Sequence, residues 1–199
     1  MSNEDYKVVN IRDYLIDDEK IGEDSLRKKL SDFTCPMNLN VEEFLKEKAI
    51  EFTKRNQSVT YLVFLNDAST LVGYFTLASK SITVKEGILS KTIQKKISRI
   101  SEYDSEYHTF RLSAYLIAQF GKNFTDNANK KITGHQLMEL AIQKIKELQY
   151  MLGGTVVFLE AVYNKKIIEF YTKHKFKEFD TRQANTIRDG ELVQLLGTL

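Results

Sequence analysis

The chain has 199 residues, 42% of them hydrophobic and 28% charged, which is enough to bury one sizeable core and fits a single domain, 1–199. Its 29 basic and 27 acidic residues leave a net charge of +2, which does not indicate a nucleic-acid partner, although composition does not exclude one. No apolar run reaches the roughly 18 residues that cross a bilayer, the polar MSNEDYK start is no export signal, and one cysteine with three histidines offers neither a disulfide nor metal-ligand spacing; the expectations are a cytoplasmic protein, no membrane and no metal.

Tyr6 to Ile11 alternates as a first strand, and Ser25 to Phe33 reads as a short helix. In FTCPMNLNVEEFLKEKAIEF, Asn40 and Glu43 form an N-cap and its partner three residues on. Val41, Phe44, Leu45, Ala49 and Phe52 then line one helical face. Cys35 reads as a small buried apolar side chain rather than a nucleophile. Ser58 to Asn66 and Thr70 to Lys80 are β-branched and aromatic runs joined by Asp67-Ala68-Ser69, an antiparallel hairpin.

Residues 81–108 form a helical insert. Ile93, Ile97 and Ile100 make its apolar stripe, and Lys91, Lys95, Lys96 and Arg99 cover the other sides. That basic helix is either a solvated face or a surface for substrate or partner, and long inserts tend to carry function. Thr109 to Phe120 is almost continuously apolar, as expected of a central strand covered on both faces. A polar loop, Asn123 to Lys130, follows.

Leu137, Leu140, Ala141, Ile145, Leu148 and Leu152 then recur at helical spacing until Gly153-Gly154 stops the helix. Ile132 to Leu137, at its start, would present unpaired backbone N–H groups where the helix dipole favours negative charge. A phosphate-bearing ligand is therefore expected. Thr155 to Val162 is the next strand, a second helix ends in Phe170-Tyr171, and Lys177 to Asp180 and Glu191 to Gly197 are final strands around a polar turn at Asp189-Gly190.

At Lys131-Ile132-Thr133-Gly134-His135-Gln136 the chain resembles the GNAT superfamily of N-acetyltransferases, whose acetyl-CoA pyrophosphate turn reads R/Q-x-x-G-x-G/A; Gln136 stands where a second small residue is usual. Asn164, Ile168, Phe170, Tyr171 and Phe176 match the family's closing pattern, with Lys175 in the usual glycine place. Val72 to Leu77 and Leu116 to Asn123 resemble its second-strand and central-strand signatures. Phe33, Cys35, Asn38, Asn40, Phe44, Leu45 and Ala49 are similar to a segment of the aminoacyl-tRNA-acetylating toxins of the superfamily.

The resemblance implies a mixed α/β (α+β) domain with the GNAT acyl-CoA N-acyltransferase fold, a mostly antiparallel sheet flanked by helices and splayed between Thr109–Phe120 and Thr155–Val162. It implies acetyl-CoA (coenzyme A) as donor and a primary amine, on a small molecule, a peptide or an aminoacyl group, attacking directly. Backbone near Phe120 and Lys122 would pair with the pantetheine arm. Lys131, Ile132, Thr133, Gly134, His135, Gln136 and Leu137 would hold the pyrophosphate, the side chains of His135 and Gln136 needing no role. Lys130, Lys165 and Lys166 would offset its charge. Asn164 caps the last helix and, by resemblance, touches pantetheine.

Tyr171 is the candidate general acid, against a packing role beside Phe170. Glu160, the one carboxylate inside its strand, resembles the assisting glutamate of protein N-terminal acetyltransferases; the other reading pairs it with a lysine. Two alternatives to acetylation of an unidentified amine stay open: toxin-like acetylation of aminoacyl-tRNA, and a non-catalytic acyl-CoA-binding or partner-binding module. Monomer and homodimer stay open as well.

Overall fold

The computed structural model describes residues 5–15, 20–66, 69–184 and 190–199. β1 (Tyr6–Asn10) leads through a 3-10 turn into α1 (Lys20–Ser31), then α2 (Leu39–Glu43), a π turn (Phe44–Lys48) and α3 (Ala49–Lys54). β2 (Val59–Leu65) and β3 (Leu71–Lys85) follow, then α4 (Lys91–Ile97), β4 (Glu102–Asp104) and β5 (Thr109–Lys122). A 3-10 segment (Thr125–Lys130) precedes α5 (Gly134–Leu152), β6 (Val156–Val162), α6 (Lys165–Lys173), β7 (Lys177–Gln183) and β8 (Glu191–Thr198). The strands hydrogen-bond in the order β1-β2-β3-β5-β6-β8-β7, with β4 on β5. β1–β2, β2–β3, β4–β5, β6–β8 and β7–β8 are antiparallel, and β5–β6 is parallel, giving the mixed α/β sheet expected.

Contacts divide the chain into two units, 1–78 with 118–147 and 79–117 with 148–199; β3, β5 and α5 pass from one to the other. In the first unit, Leu62, Phe64 and Tyr74 of the strands bury against Leu26 and Leu30 of α1 and against Phe33, Val41, Phe44, Leu45 and Ile50. Each such side chain contributes on the order of 1.5–3 kcal/mol by leaving water. Buried Tyr74 donates its hydroxyl to the Val41 carbonyl at 2.5 Å, so the polar end of the ring is satisfied. Asn123, also buried, is a junction: its Oδ1 accepts from the Thr34 and Thr125 amides and its Nδ2 donates to the Leu71 carbonyl. In the second unit, Ile97 of α4 joins Ile82, Val84, Phe110, Leu112, Phe158 and Leu196 in a separate cluster.

The helical N-cap after Cys35 is Asn38, not Asn40: its side chain accepts from the Asn40 and Val41 amides, and Glu42, not Glu43, closes the turn by accepting from the Cys35 amide at 2.8 Å. The first helix begins at Lys20 rather than Ser25 and ends at Ser31. β3 runs to Lys85, five residues into the expected insert, because Ile82 and Val84 keep the buried alternation going. Leu152, placed in the apolar stripe of α5, is 81% exposed. Asp67 and Ala68 of the hairpin turn and Asp189 of the last turn lie outside the described residues.

The parallel ladder of β5 and β6 comprises Tyr115 with Val157, Leu116 with Phe158 and Ile117 with Leu159. Past Leu159, β6 keeps its antiparallel register with β8 as far as Val162.

Candidate active site

The site residues expected from the sequence fall into two groups, one in each unit. In the first unit the turn before α5 is built by its own side chains. Thr133 and Gln136 form a reciprocal cap: the Gln136 amide donates to Thr133 Oγ1 at 3.1 Å, and Gln136 Oε1 accepts from the Thr133 amide at 3.0 Å and its hydroxyl at 2.9 Å. The Leu137 amide donates to the Thr133 carbonyl. The expectation of unpaired N–H groups throughout Ile132–Leu137 is corrected accordingly: Thr133, Gln136 and Leu137 already donate. The Gly134 amide has no acceptor among the described residues. The Gln136 side chain, expected to have no role, is what holds the turn. Its signal was present as Thr133-x-x-Gln136, a capping-box spacing.

Lys122 and Tyr6 fix the turn from outside it. Lys122 Nζ donates to the Asn129 carbonyl at 2.9 Å and the Ile132 carbonyl at 3.3 Å, so its side chain braces the turn. The Tyr6 hydroxyl donates to the Lys131 carbonyl at 2.9 Å, a contact no sequence spacing announced. Burial pushes the Tyr6 phenol up, Asp5 adds to this, and a hydrogen bond with Gln136 works against it. Ile132 and Leu137 are buried beneath, the latter against Gly73. His135 Nε2 lies 3.1 Å from Glu139 Oε1, one helical turn on. Phe120 is half-buried on β5. Lys130 and Lys131 pair with no carboxylate among the described residues.

In the second unit, Asn164 caps α6 as expected, accepting from the Lys166 amide at 3.0 Å and the Ile167 amide at 3.4 Å. Two turns on, Tyr171 packs edge-on against Phe170 (centroids 5.2 Å apart) and Phe176 (6.1 Å). Burial pushes its phenol up to about 12, so it holds its proton across the physiological range. Its hydroxyl makes no hydrogen bond among the described residues. α6 ends at Lys173, and Lys175 beyond its cap adopts φ +67°, the left-handed conformation that glycine takes most readily; the Phe176 amide then donates back to the Tyr171 carbonyl.

Glu160 sits on β6 with its carboxylate enclosed. Arg182 of β7 donates from Nε to Oε1 at 2.7 Å and from Nη2 to Oε2 at 2.5 Å, and Gln194 Nε2 of β8 donates to Oε1 at 2.7 Å. Burial raises its pKa, but Arg182, Gln194 and Lys80 more than offset that and hold the carboxyl below the usual range. Of the two sequence readings, ion pairing has its partner here, and the partner is an arginine rather than a lysine.

No protein-family model matches the sequence, and no curated protein matches it either. Solved structures do match over nearly the full length. AtaT complexed with acetyl-methionyl-tRNAfMet superposes with a TM-score of 0.63 at 17% identity, covering 95% of this chain and 94% of AtaT. A tyrosine-to-phenylalanine mutant of KacT gives a TM-score of 0.62 at 18% identity, covering 98% and 95%. A mutant AtaT toxin bound to the C-terminus of the antitoxin AtaR and to acetyl-CoA gives 0.59 at 14%, covering 98% and 93%. The chain therefore has the GNAT acyltransferase fold of these proteins.

Proposed function

We propose that the protein is an N-acetyltransferase that moves an acetyl group from acetyl-CoA to a primary amine by direct attack. The observation that carries this reading is the full-length likeness in fold to a structure holding acetyl-CoA, joined here by a glycine-centred turn whose Gly134 amide has no acceptor, and by Lys130 and Lys131, whose ammonium groups have no partner carboxylate, among the described residues. Acetyl-CoA supplies a thioester whose acyl carbon is open to attack and whose thiolate can leave. Gly134, Lys130 and Lys131 of the first unit would hold its phosphates. In this reading the pantetheine would run beside the backbone of β5 around Phe120 and Lys122.

Tyr171 is the proton donor in this reading. A phenol kept protonated by burial, with no hydrogen bond among the described residues, is poised to give its proton to a departing thiolate. Thiol release from acetyl-CoA with an amine panel tests the proposal. Tyr171→Phe should lower kcat by about 10²-fold or more while CoA binding persists. An unchanged kcat would remove Tyr171 from the chemistry, and no thiol release with any amine would favour the silent binding module.

A second reading makes the acceptor an aminoacyl-tRNA, the class of molecule seen in the AtaT complex. One observation favours it. Lys91, Lys95, Lys96 and Arg99 surround an open depression of about 370 Å³ on α4, and none of the four pairs with a carboxylate among the described residues. A phosphodiester backbone would neutralise that face. RNA affinity falling steeply with salt, and losing slope in Lys95→Glu with Lys96→Glu, is the expected result; indifference to RNA would remove this reading.

A further inference from the structure

A depression in the first unit touches the site described above only at its edge. It encloses about 610 Å³ between α1, the start of β3 and the 3-10 segment, within the roughly 300–1,000 Å³ of small-molecule pockets. Its lining includes buried Phe64 and Leu71. Exposed Lys28 and Lys29 of α1 and Lys131 of the turn before α5 also line it, and so do the exposed carboxylates of Asp32 and Asp126. None of these five charged groups is in an ion pair among the described residues. Apolar surface beside charges of both signs suits a ligand that carries an aromatic ring, hydrogen-bond donors and an anion together. A purine covers the apolar part, its amine and the ribose hydroxyl donate to carboxylates, and a phosphate takes the ammonium groups. An inorganic anion would use only the lysines and would meet repulsion from Asp32 and Asp126.

We infer that this pocket receives the nucleotide end of coenzyme A, with Lys28 and Lys29 on its 3′-phosphate, so that the protein distinguishes coenzyme A from its dephospho form. This rests on the acetyltransferase reading above and adds two residues of α1 to it. Free adenosine 3′,5′-bisphosphate carries the same chemistry and is the other source of such a ligand. Lys131 favours the cofactor: it lines the pocket and also opens the glycine-centred turn, so a diphosphate held on that turn lies one ribose away from a 3′-phosphate in the pocket. All of these groups belong to the first unit. Lysine suits the task, because a phosphate that must be released after each turnover needs mobile point charges rather than a rigid two-pronged grip.

The test is calorimetry on the full chain with CoA, dephospho-CoA and adenosine 3′,5′-bisphosphate, for wild type and for Lys28→Ala combined with Lys29→Ala. Both lysines are exposed on a helix that accepts alanine, so the double variant should keep the wild-type melting temperature to within a few degrees. Wild type should bind CoA about tenfold or more tightly than dephospho-CoA, the worth of one charge-assisted hydrogen bond. That ratio should fall toward one in the double variant and shrink as salt rises, because the ammonium groups are exposed. The bisphosphate should displace CoA. Equal affinity for CoA and dephospho-CoA in wild type overturns the inference, and so does a preference that the double variant keeps in full. Bisphosphate bound together with CoA would overturn it as well and give the pocket to a free nucleotide. The two levels separate cleanly: CoA bound without regard to its 3′-phosphate sinks only this inference, and no binding of CoA in either form sinks the acetyltransferase reading with it.

Discussion

At the scale of single residues, the turn before α5 shows how one side chain serves two demands. Gln136 stabilises the helix start by taking the Thr133 amide and hydroxyl, and the same bonds occupy a donor that a phosphate oxygen would use. Gln136→Ala is therefore expected to move two measurements in opposite directions. Loss of the cap should cost about 0.5–2 kcal/mol, read as a lower melting temperature, while freeing the Thr133 amide should tighten CoA binding about tenfold, one charge-assisted hydrogen bond being worth at least that much. Weaker CoA binding in the variant would show that the side chain grips the ligand. The spacing Thr133-x-x-Gln136 is legible in the sequence as a capping box. Asn38 is not distinguishable from Asn40 by sequence: both precede an apolar stripe, and only the direction of two backbone amides separates them.

Elements were more legible than their ends. Long periodic runs fixed β2, β3, β5, α5 and α6 because burial on one face imposes the spacing, and those runs are what the sequence carries most redundantly. Ends depend on single hydrogen bonds and on neighbours distant in sequence, which is why β3 overran its expected limit. Close approach of elements was invisible as well. Gly73 of β3 is an example: a Cβ there would meet the Gly121 carbonyl oxygen at 2.9 Å and the Leu137 side chain at 3.2 Å. Gly73→Ala should therefore destabilise the first unit by about 1–3 kcal/mol, seen in denaturant unfolding as a lower midpoint with an unchanged slope, since the backbone oxygen cannot yield as a side chain would. A neutral result would mean that α5 can shift away from the sheet at little cost.

For the whole molecule, the order of elements and the class of sheet followed from the sequence, and the likeness to AtaT and KacT agrees with them. The division into two units did not, because it arises from which buried residues cluster together, as in the separate groups around Tyr74 and Phe158. Stability against pH belongs to this scale. Glu23, Glu42 and Glu160 are all held below the ordinary value of 4.5, so their stabilisation is complete above that pH and is lost as acid takes the chain down through their folded values. Tyr171 acts on the alkaline side: raised from 10.0 to about 12, it favours the fold below pH 10 and loses that contribution between the two values. Thermal melts should show a plateau between these limits; Glu160→Gln should soften the acid edge, and a wild-type acid edge that Glu160→Gln leaves unmoved would contradict the assignment. Asn123 tolerates no isostere that lacks a donor. Its amide nitrogen donates to the Leu71 carbonyl, so Asn123→Asp would set two oxygens against each other at the point where three stretches of chain meet, and the variant should loosen there first.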